Sequence, residues 1–337
     1  MKRFNGIALS VAFCSLASQA ALAQTKIDTL KVQHLNEVIV KGVRAAKEAP
    51  YAVANIRKSE LKQFSCTGQE LPFLLSRTPG ILAWSENGIG TGTTYMRIRG
   101  AAGSRINVTL DGVALNSPED QTVFWANMNS YASLLGSIQV QRGVGSSTNG
   151  DGAFGGSISM ATAAPSLTPT AEVTGSFGSY NTYHTGASFS TGLLGKHLIF
   201  DGAYHETATD GYVDGTAGRS GSYYGGLTWL GDNFKVSYKN IGNFEKTGQA
   251  WNGVLGGDYN SNFTLLDDGI RTYKDMYKAG LDKFNVLTGD MVRNDKGDYT
   301  ITPYTLRDGS KWDKTTDNFY QNHNILSATW TPGSHWS

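Results

Sequence analysis

The sequence predicts a compact α+β domain over residues 50–165, followed by antiparallel, membrane-crossing β-strands over residues 166–337. Three observations lead there. The chain opens with an export signal, its middle mixes short helical stretches with alternating strands, and its remainder repeats long period-two segments between glycine-rich turns. The composition agrees, since 41 glycines, 16 tyrosines and 7 tryptophans in an exported chain suit β-hairpins with aromatic belts.

The export signal occupies residues 1–23. Lys2 and Arg3 give a basic start, Ile7 to Ala17 form an apolar run, and Ala21-Leu22-Ala23 offers a small-x-small cleavage site before Gln24. The run is too short to span a bilayer, and the cleavage motif behind it argues against a core helix. Cys14 raises a lipoprotein signal, but bulky Phe13 stands where a small residue is expected. Cleavage near Ala23 removes Cys14 and leaves Cys66 alone, so no intramolecular disulfide is expected. The formal charge moves from +1 to −1, because Lys2 and Arg3 leave and no acid does. Near-neutrality argues against nucleic acid as a partner. No later stretch approaches the roughly 18 apolar residues of a membrane helix, so an exported, aromatic chain points to the outer membrane and its lipid.

Residues 24–49 are polar and uneven except for Leu35-Asn36-Glu37-Val38-Ile39-Val40-Lys41-Gly42. Lys41, Arg44 and Lys47 follow, and Pro50 closes the stretch. A short β-prone island in a tail cannot bury itself. It suits either a strand added to a partner's sheet or the first strand of the next domain, and periodicity leaves both open.

Within residues 50–165, Ser59 can cap a helix through Phe64, and Thr67 with Glu70 forms a candidate capping box leading into Leu71 to Ser76. Pro72 lacks an N–H and draws that start toward itself, and Thr78-Pro79-Gly80 ends the helix. Strands follow at Tyr95 to Arg99, Arg105 to Leu110, Ser137 to Gln141 and Ser157 to Met160, each alternating apolar with polar residues. Asp111-Gly112 makes a tight turn after the second. After Pro165, alternation recurs at Ala171 to Phe177, Leu198 to His205, Phe234 to Lys239 and Leu326 to Trp330. A soluble sandwich would also alternate, but irregular loops as long as residues 245–300 are unusual between its strands. A membrane barrel is the better reading.

No chemistry-bearing motif stands up. Gly150-Asp151-Gly152-Ala153-Phe154-Gly155 matches GxGxxG, yet the strand-like Ser157-Ile158-Ser159-Met160 follows where a dinucleotide site needs a helix. The histidines are scattered, with no HxxxH pair and no cysteine cluster, so no metal site or cofactor is predicted. His205 beside Glu206 could help hold a ligand metal at a barrel mouth, although such pairs more often sit on a polar face. Glu119-Asp120 falls in an exposed turn, and no GxSxG elbow occurs. An enzyme reading finds no residues.

Five blocks then resemble the plug of TonB-dependent outer-membrane receptors, in the family's order. They are Arg77-Thr78-Pro79-Gly80-Ile81, Met96-Arg97-Ile98-Arg99-Gly100 and Ile106-Asn107-Val108-Thr109-Leu110-Asp111-Gly112-Val113, then Ser137-Ile138-Gln139-Val140-Gln141-Arg142-Gly143 and Gly152-Ala153-Phe154-Gly155-Gly156-Ser157-Ile158. Lys246-Thr247-Gly248-Gln249-Ala250-Trp251-Asn252-Gly253 resembles the Bacteroides-like subgroup.

The resemblance implies a TonB box at Leu35, Asn36, Glu37, Val38, Ile39 and Val40 within a periplasmic segment 24–49, a plug at 50–165, and the start of a barrel of typically 22 strands. It implies TonB, with its energising complex, as partner and a scarce small ligand such as a ferric siderophore as cargo. Glycan import and a passive porin or adhesin are the alternatives; only residues 24–34 precede the box, which disfavours the glycan receptors that carry an extra domain there. Arg99, Arg105 and Arg142 are candidates for polar contacts between plug and wall. Asn87, Tyr95, Asn116, Trp125 and Trp251 are candidate ligand contacts, chosen from glycine- and aromatic-rich loops. Residues 166–337 supply about seven or eight strands at roughly 20–25 residues each. The barrel is therefore expected to be incomplete in this chain, and the natural product to be longer.

Overall fold

The computed structural model describes residues 44–45, 50–144, 153–251, 272–312 and 314–330. The signal, the island from Leu35 to Val40 and the final residues 331–337 lie outside the described residues. In chain order the first domain runs β1 (Ala52–Arg57), α1 (Lys58–Ser65), α2 (Leu71–Leu75), β2 (Ile81–Ser85), β3 (Thr94–Ile98), β4 (Ile106–Leu110), β5 (Val113–Ala114), α3 (Tyr131–Leu134), β6 (Leu135–Arg142) and β7 (Gly156–Thr162). Five of these strands form one sheet in the order β1-β6-β7-β4-β5, and β2 pairs with β3 as a separate hairpin. The β4–β7 pair is parallel and its neighbours are antiparallel.

Both expected helices form, with caps other than the expected ones. Arg57, not Ser59, is the cap of α1, because the Glu60 carboxylate reaches back to accept the Arg57 N–H at 3.2 Å. The Thr67–Glu70 box does not form. The Thr67 hydroxyl turns back to donate to Phe64 O at 2.8 Å, and Glu70 is drawn into the interior. α2 instead starts at Leu71 with Pro72 in its first turn, where the missing N–H costs nothing.

Period-two alternation divides the sheet. Ile56, Ile138, Met160 and Leu110 share one register row, and Val140, Ile158 and Val108 the next. All are at most 6% exposed and join Leu61, Phe64, Leu74 and Leu75 in one apolar core. Each fully buried side chain of this size contributes about 1.5–3 kcal/mol. The opposite face carries Asn55, Ser137, Gln139, Gln141, Ser157 and Ser159, polar residues of which the last four are also buried. Asp111-Gly112 makes the expected tight turn, both residues lying at positive φ (49° and 84°).

The second part of the chain is a six-stranded antiparallel sheet. Its strands are β8 (Thr170–Phe177), β9 (Tyr183–Ser190), β10 (Leu198–Thr209), β11 (Gly218–Leu230) and β12 (Phe234–Gly248), and then, after α4 (Tyr273–Lys278), β13 (Gly289–Arg293), β14 (Tyr299–Thr305) and β15 (Lys311–Trp312), comes β16 (Thr316–Trp330). Among the described residues this sheet has six strands where seven or eight were expected, because β13, β14 and β15 form their own small sheet in the connection between β12 and β16. The described part of that connection is therefore partly regular, carrying α4 and these three strands. Residues 191–197 and 231–233 join strands at one end, and residues 178–182, 210–217 and 249–315 join them at the other, where the longest connection lies.

The sheet is inside-out relative to a soluble one. Along β12, Lys235, Ser237, Lys239, Asn243, Glu245 and Thr247 are buried against the plug, while Phe234, Val236 and Tyr238 face outward. Trp229, Phe234 and Trp330 form an aromatic cluster at the short-turn end, 39–66% exposed. Glycines face rings across the strands: Gly186 opposite His205, Gly202 opposite Phe189, Gly221 opposite Phe244 and Gly242 opposite Tyr223. At each of these glycines an added Cβ would strike the ring, an arrangement that shields bare backbone with an aromatic face. On the outer face, Asn240 Nδ2 donates to Asn322 and Asn324 Oδ1 at 2.8 Å each, and Tyr238 O–H donates to Asn324 at 2.7 Å. Asn322 Nδ2 donates to Tyr223 Oη at 2.7 Å, extending the ladder to β11.

Candidate functional site

Two regions carry the polar chemistry: the seam between plug and wall, and the mouth at the long-loop end. In the seam, Lys239 of β12 projects inward and its Nζ donates to Asp111 Oδ2 at 2.9 Å and to Thr162 Oγ1 at 2.6 Å. Lys239 and Asp111 side chains are 4% and 6% exposed. Asp111 is held from the other side by the Thr162 N–H and hydroxyl at 2.9 and 2.8 Å. A buried charge is tolerable only when paired and hydrogen-bonded, and here the pair bridges the two parts of the molecule. Lys62 to Glu172 (2.7 Å) and the Ser176 hydroxyl to Cys66 O (2.6 Å) add exposed bridges. His184 and His205 stack at 5.6 Å on the inner wall, and His184 Nδ1 lies 2.9 Å from Thr207 Oγ1.

At the mouth the plug presents residues 86–93. Asn87 is its organiser: Oδ1 accepts the N–H groups of Ile89 and Gly90 at 3.1 and 3.2 Å, and the backbone carbonyl accepts Tyr212 N–H at 2.9 Å. Glu86 binds Tyr95 O–H (2.6 Å) and the Ala250 N–H (3.2 Å), joining plug to wall. Glycines at 88, 90 and 92 adopt positive φ, and a Cβ on Gly90 would strike Gln69 and Phe73. A cavity of about 290 Å³ opens between Cys66, Gln69 and Thr91 of the plug and Phe177, Tyr180 and Thr182 of the wall. Tyr180, which lines it, meets Tyr212 edge-on at 5.6 Å, and elsewhere Trp84 stacks on Tyr95 at 5.4 Å. Tyr212 donates to Asp282, with the Lys283 ammonium 5.5 Å from its ring centre. Beneath the loop, Glu70 accepts from Asn129 Nδ2. Burial, and secondarily the negative charge of Glu245 on the wall, holds the Glu70 carboxyl well above the usual carboxylate range.

The predicted residues divide sharply. Leu35, Asn36, Glu37, Val38, Ile39 and Val40 lie outside the described residues. Asn87 and Tyr95 stand at the mouth, and Trp251 is 46% exposed beside it. Trp125 is corrected: it is 5% exposed and belongs to the plug core. Asn116 is corrected too, because its amide is spent on Val108 N–H, Ile106 O and Gln121 O, holding its own loop closed. Arg142 donates to Pro79 O at 2.6 Å, inside the plug, while Arg99 and Arg105 are exposed. Among the described residues no hydrogen bond or ion pair joins these three arginines to the wall; Lys239, Lys62 and the residue 86–93 loop make those contacts.

His205 and Glu206 point to opposite faces, so they form no common ligand pair. Glu206 is held by Arg219 at 2.8 and 2.6 Å, and no cluster of three metal-ligating residues occurs among the described residues. The GxGxxG glycines do lead into a strand, β7. What the residue patterns missed is Asp111, Lys239 and Glu70. For Lys239 the signal was present, as the inward member of the Lys235-Ser237-Lys239 alternation.

Comparison with known proteins places these features. The family described as TonB-dependent Receptor Plug Domain matches residues 45–157. Among solved structures, the chain superposes on Pseudomonas aeruginosa FpvA bound to heterologous pyoverdines with a TM-score of 0.61 at 16% identity, covering 85% of this chain and 32% of that one. The ferric yersiniabactin uptake receptor FyuA of Yersinia pestis gives 0.55 at 13% identity, covering 84% and 39%. The FpvAI–pyocin S2 complex gives 0.58 at 14%, covering 84% and 33%. The chain thus spans about a third of the length of these receptors, and identities this low carry the fold alone. Curated proteins yield no match. An α+β plug set against an inside-out antiparallel wall is the arrangement these structures share. Residues 45–157 match the plug domain of TonB-dependent receptors, and the strands that follow share the fold of the solved receptors.

Proposed function

We propose that this protein takes up a scarce ligand across the outer membrane, with TonB supplying the work through Leu35 to Val40. The observation that carries the reading is the plug itself: beside the apolar contact that Ile241 of β12 makes with the plug core, its seam with the wall holds hydrogen bonds and the buried Lys239–Asp111 ion pair, contacts that can be broken and remade. Val38 and Val40 would set the register of a strand added to TonB, with main-chain bonds giving the strength. A ferric siderophore or related chelate is the cargo class we favour, in line with the receptors that share the fold.

The mouth supports a second cargo class. Stacked Trp84 and Tyr95, with Tyr180, Tyr212 and Glu86 nearby, offer flat rings for sugar faces and a carboxylate for hydroxyls. Titration with a panel of ferric siderophores and oligosaccharides decides between the two. Deleting residues 35–40 tests the energy coupling: ligand binding persists and uptake stops. Unchanged flux in that deletion would mean a passive porin.

A further inference from the structure

The polar face of the plug sheet receives the chain that leads into it. Arg44, the residue immediately before the family match, lays its guanidinium across β6 and β7. Nη1 donates to Ser137 Oγ at 2.9 Å and Nη2 to Ser137 O at 3.2 Å. Nε donates to Ser159 Oγ at 3.2 Å and Nη2 to Ser159 O at 2.9 Å. The next residue is held by a side chain acting as a strand. Ala45 N–H donates to Gln139 Oε1 at 2.7 Å, and Gln139 Nε2 donates back to Ala45 O at 3.2 Å.

These partners lie 93 to 115 residues away in sequence. The fork geometry of guanidinium fixes direction as well as strength, which a lysine ammonium cannot do. β1, by contrast, is an edge strand of the sheet, bonded on one side only.

We propose that Arg44 is the residue through which a pull on Leu35 to Val40 is delivered to the plug. Force entering at Val40 meets the Arg44 clasp first and loads β6 and β7, interior strands of the sheet, together. Without the clasp the first structure to meet the load is the ladder of β1, which can peel from its edge one pair at a time. The inference rests on the reading of Leu35 to Val40 as the segment TonB grips.

The test uses the full chain in outer-membrane preparations, carrying Cys66→Ser with Ala45→Cys in one variant and Val38→Cys in another. A maleimide probe reports access at position 45, inside the clasp, and a handle on the thiol at position 38 reports rupture force. Arg44→Ala raises the labelling rate about tenfold, the factor that corresponds to one charge-assisted hydrogen bond, and lowers the force of the first rupture. Arg44→Lys falls between. Ser137→Ala with Ser159→Ala, which keeps the arginine and both carbonyls, moves both readouts in the same direction by less and guards against misfolding of the first variant. Wild-type labelling in Arg44→Ala overturns the clasp, and an unchanged first rupture force overturns its role in delivering the pull. Neither readout involves TonB. Equal binding of a soluble TonB domain with and without residues 35–40 would instead sink the box assignment by itself.

Discussion

Asp111 serves two ends with one carboxylate: it closes a left-handed turn at φ 49° and it neutralises the buried Lys239. Removing the lysine leaves a desolvated anion, so Lys239→Ala should cost about 3–5 kcal/mol. Lys239→Met combined with Asp111→Asn should recover most of that loss. Chemical denaturation of the purified protein checks both. Glu70 makes a different prediction. A carboxyl raised in the folded state contributes its full stabilisation below the unfolded carboxylate pKa, and loses it as pH climbs through the elevated folded value. Thermal stability of the plug should therefore decline as pH rises past the normal carboxylate range, and Glu70→Gln should flatten that decline. A melting series across pH reads the difference. Lys239 was legible as the polar member of an alternating strand. Its partner was not, because the two lie 128 residues apart and only the closed fold brings them together. Glu70 was misread as a helix cap because the local pattern outweighed a burial that no local pattern encodes. Trp125 was misread for a similar reason: an aromatic in a loop-like stretch can as easily fill the core as line a mouth.

Among the elements, the strands with strong apolar alternation were legible before the structure: β3, β4, β6, β7, β8, β10, β12 and β16. β9 and β11 were not, because Gly186, Gly221, Gly225 and Gly226 remove the apolar members that make a strand visible. Their place is taken by rings reaching over from neighbouring strands, so the information for β11 is partly written in β12, as Phe244 opposite Gly221. Substitution at such a glycine should force the ring aside. Gly186→Val, beneath His205, is expected to cost about 1–3 kcal/mol through overpacking. Heat-modifiable migration on gels would register the loss as unfolding at a lower temperature. The small sheet of β13, β14 and β15 was likewise hidden, since its alternation is short and, among its described residues, only Met291, Tyr299 and Ile301 pack against the small cluster of Leu281 and Phe284.

At the scale of the whole molecule, the plug is tied at two places with opposite meanings. Arg44 joins it to the chain that would pull, and Asp111 joins it, through Lys239, to the wall that resists. Both ties use β7 or the residue that ends it, since Ser159 and Thr162 belong to the same strand. The asparagine ladder on the outer wall has a separate consequence. β16 follows β12 only after residues 249–315, yet its register is fixed by Asn240, Asn322 and Asn324 and by a continuous ladder from Phe234 to Gly248. Closing a longer loop adds only slowly to the entropic cost. The wall therefore keeps its frame independently of how long a stretch of chain separates these two strands.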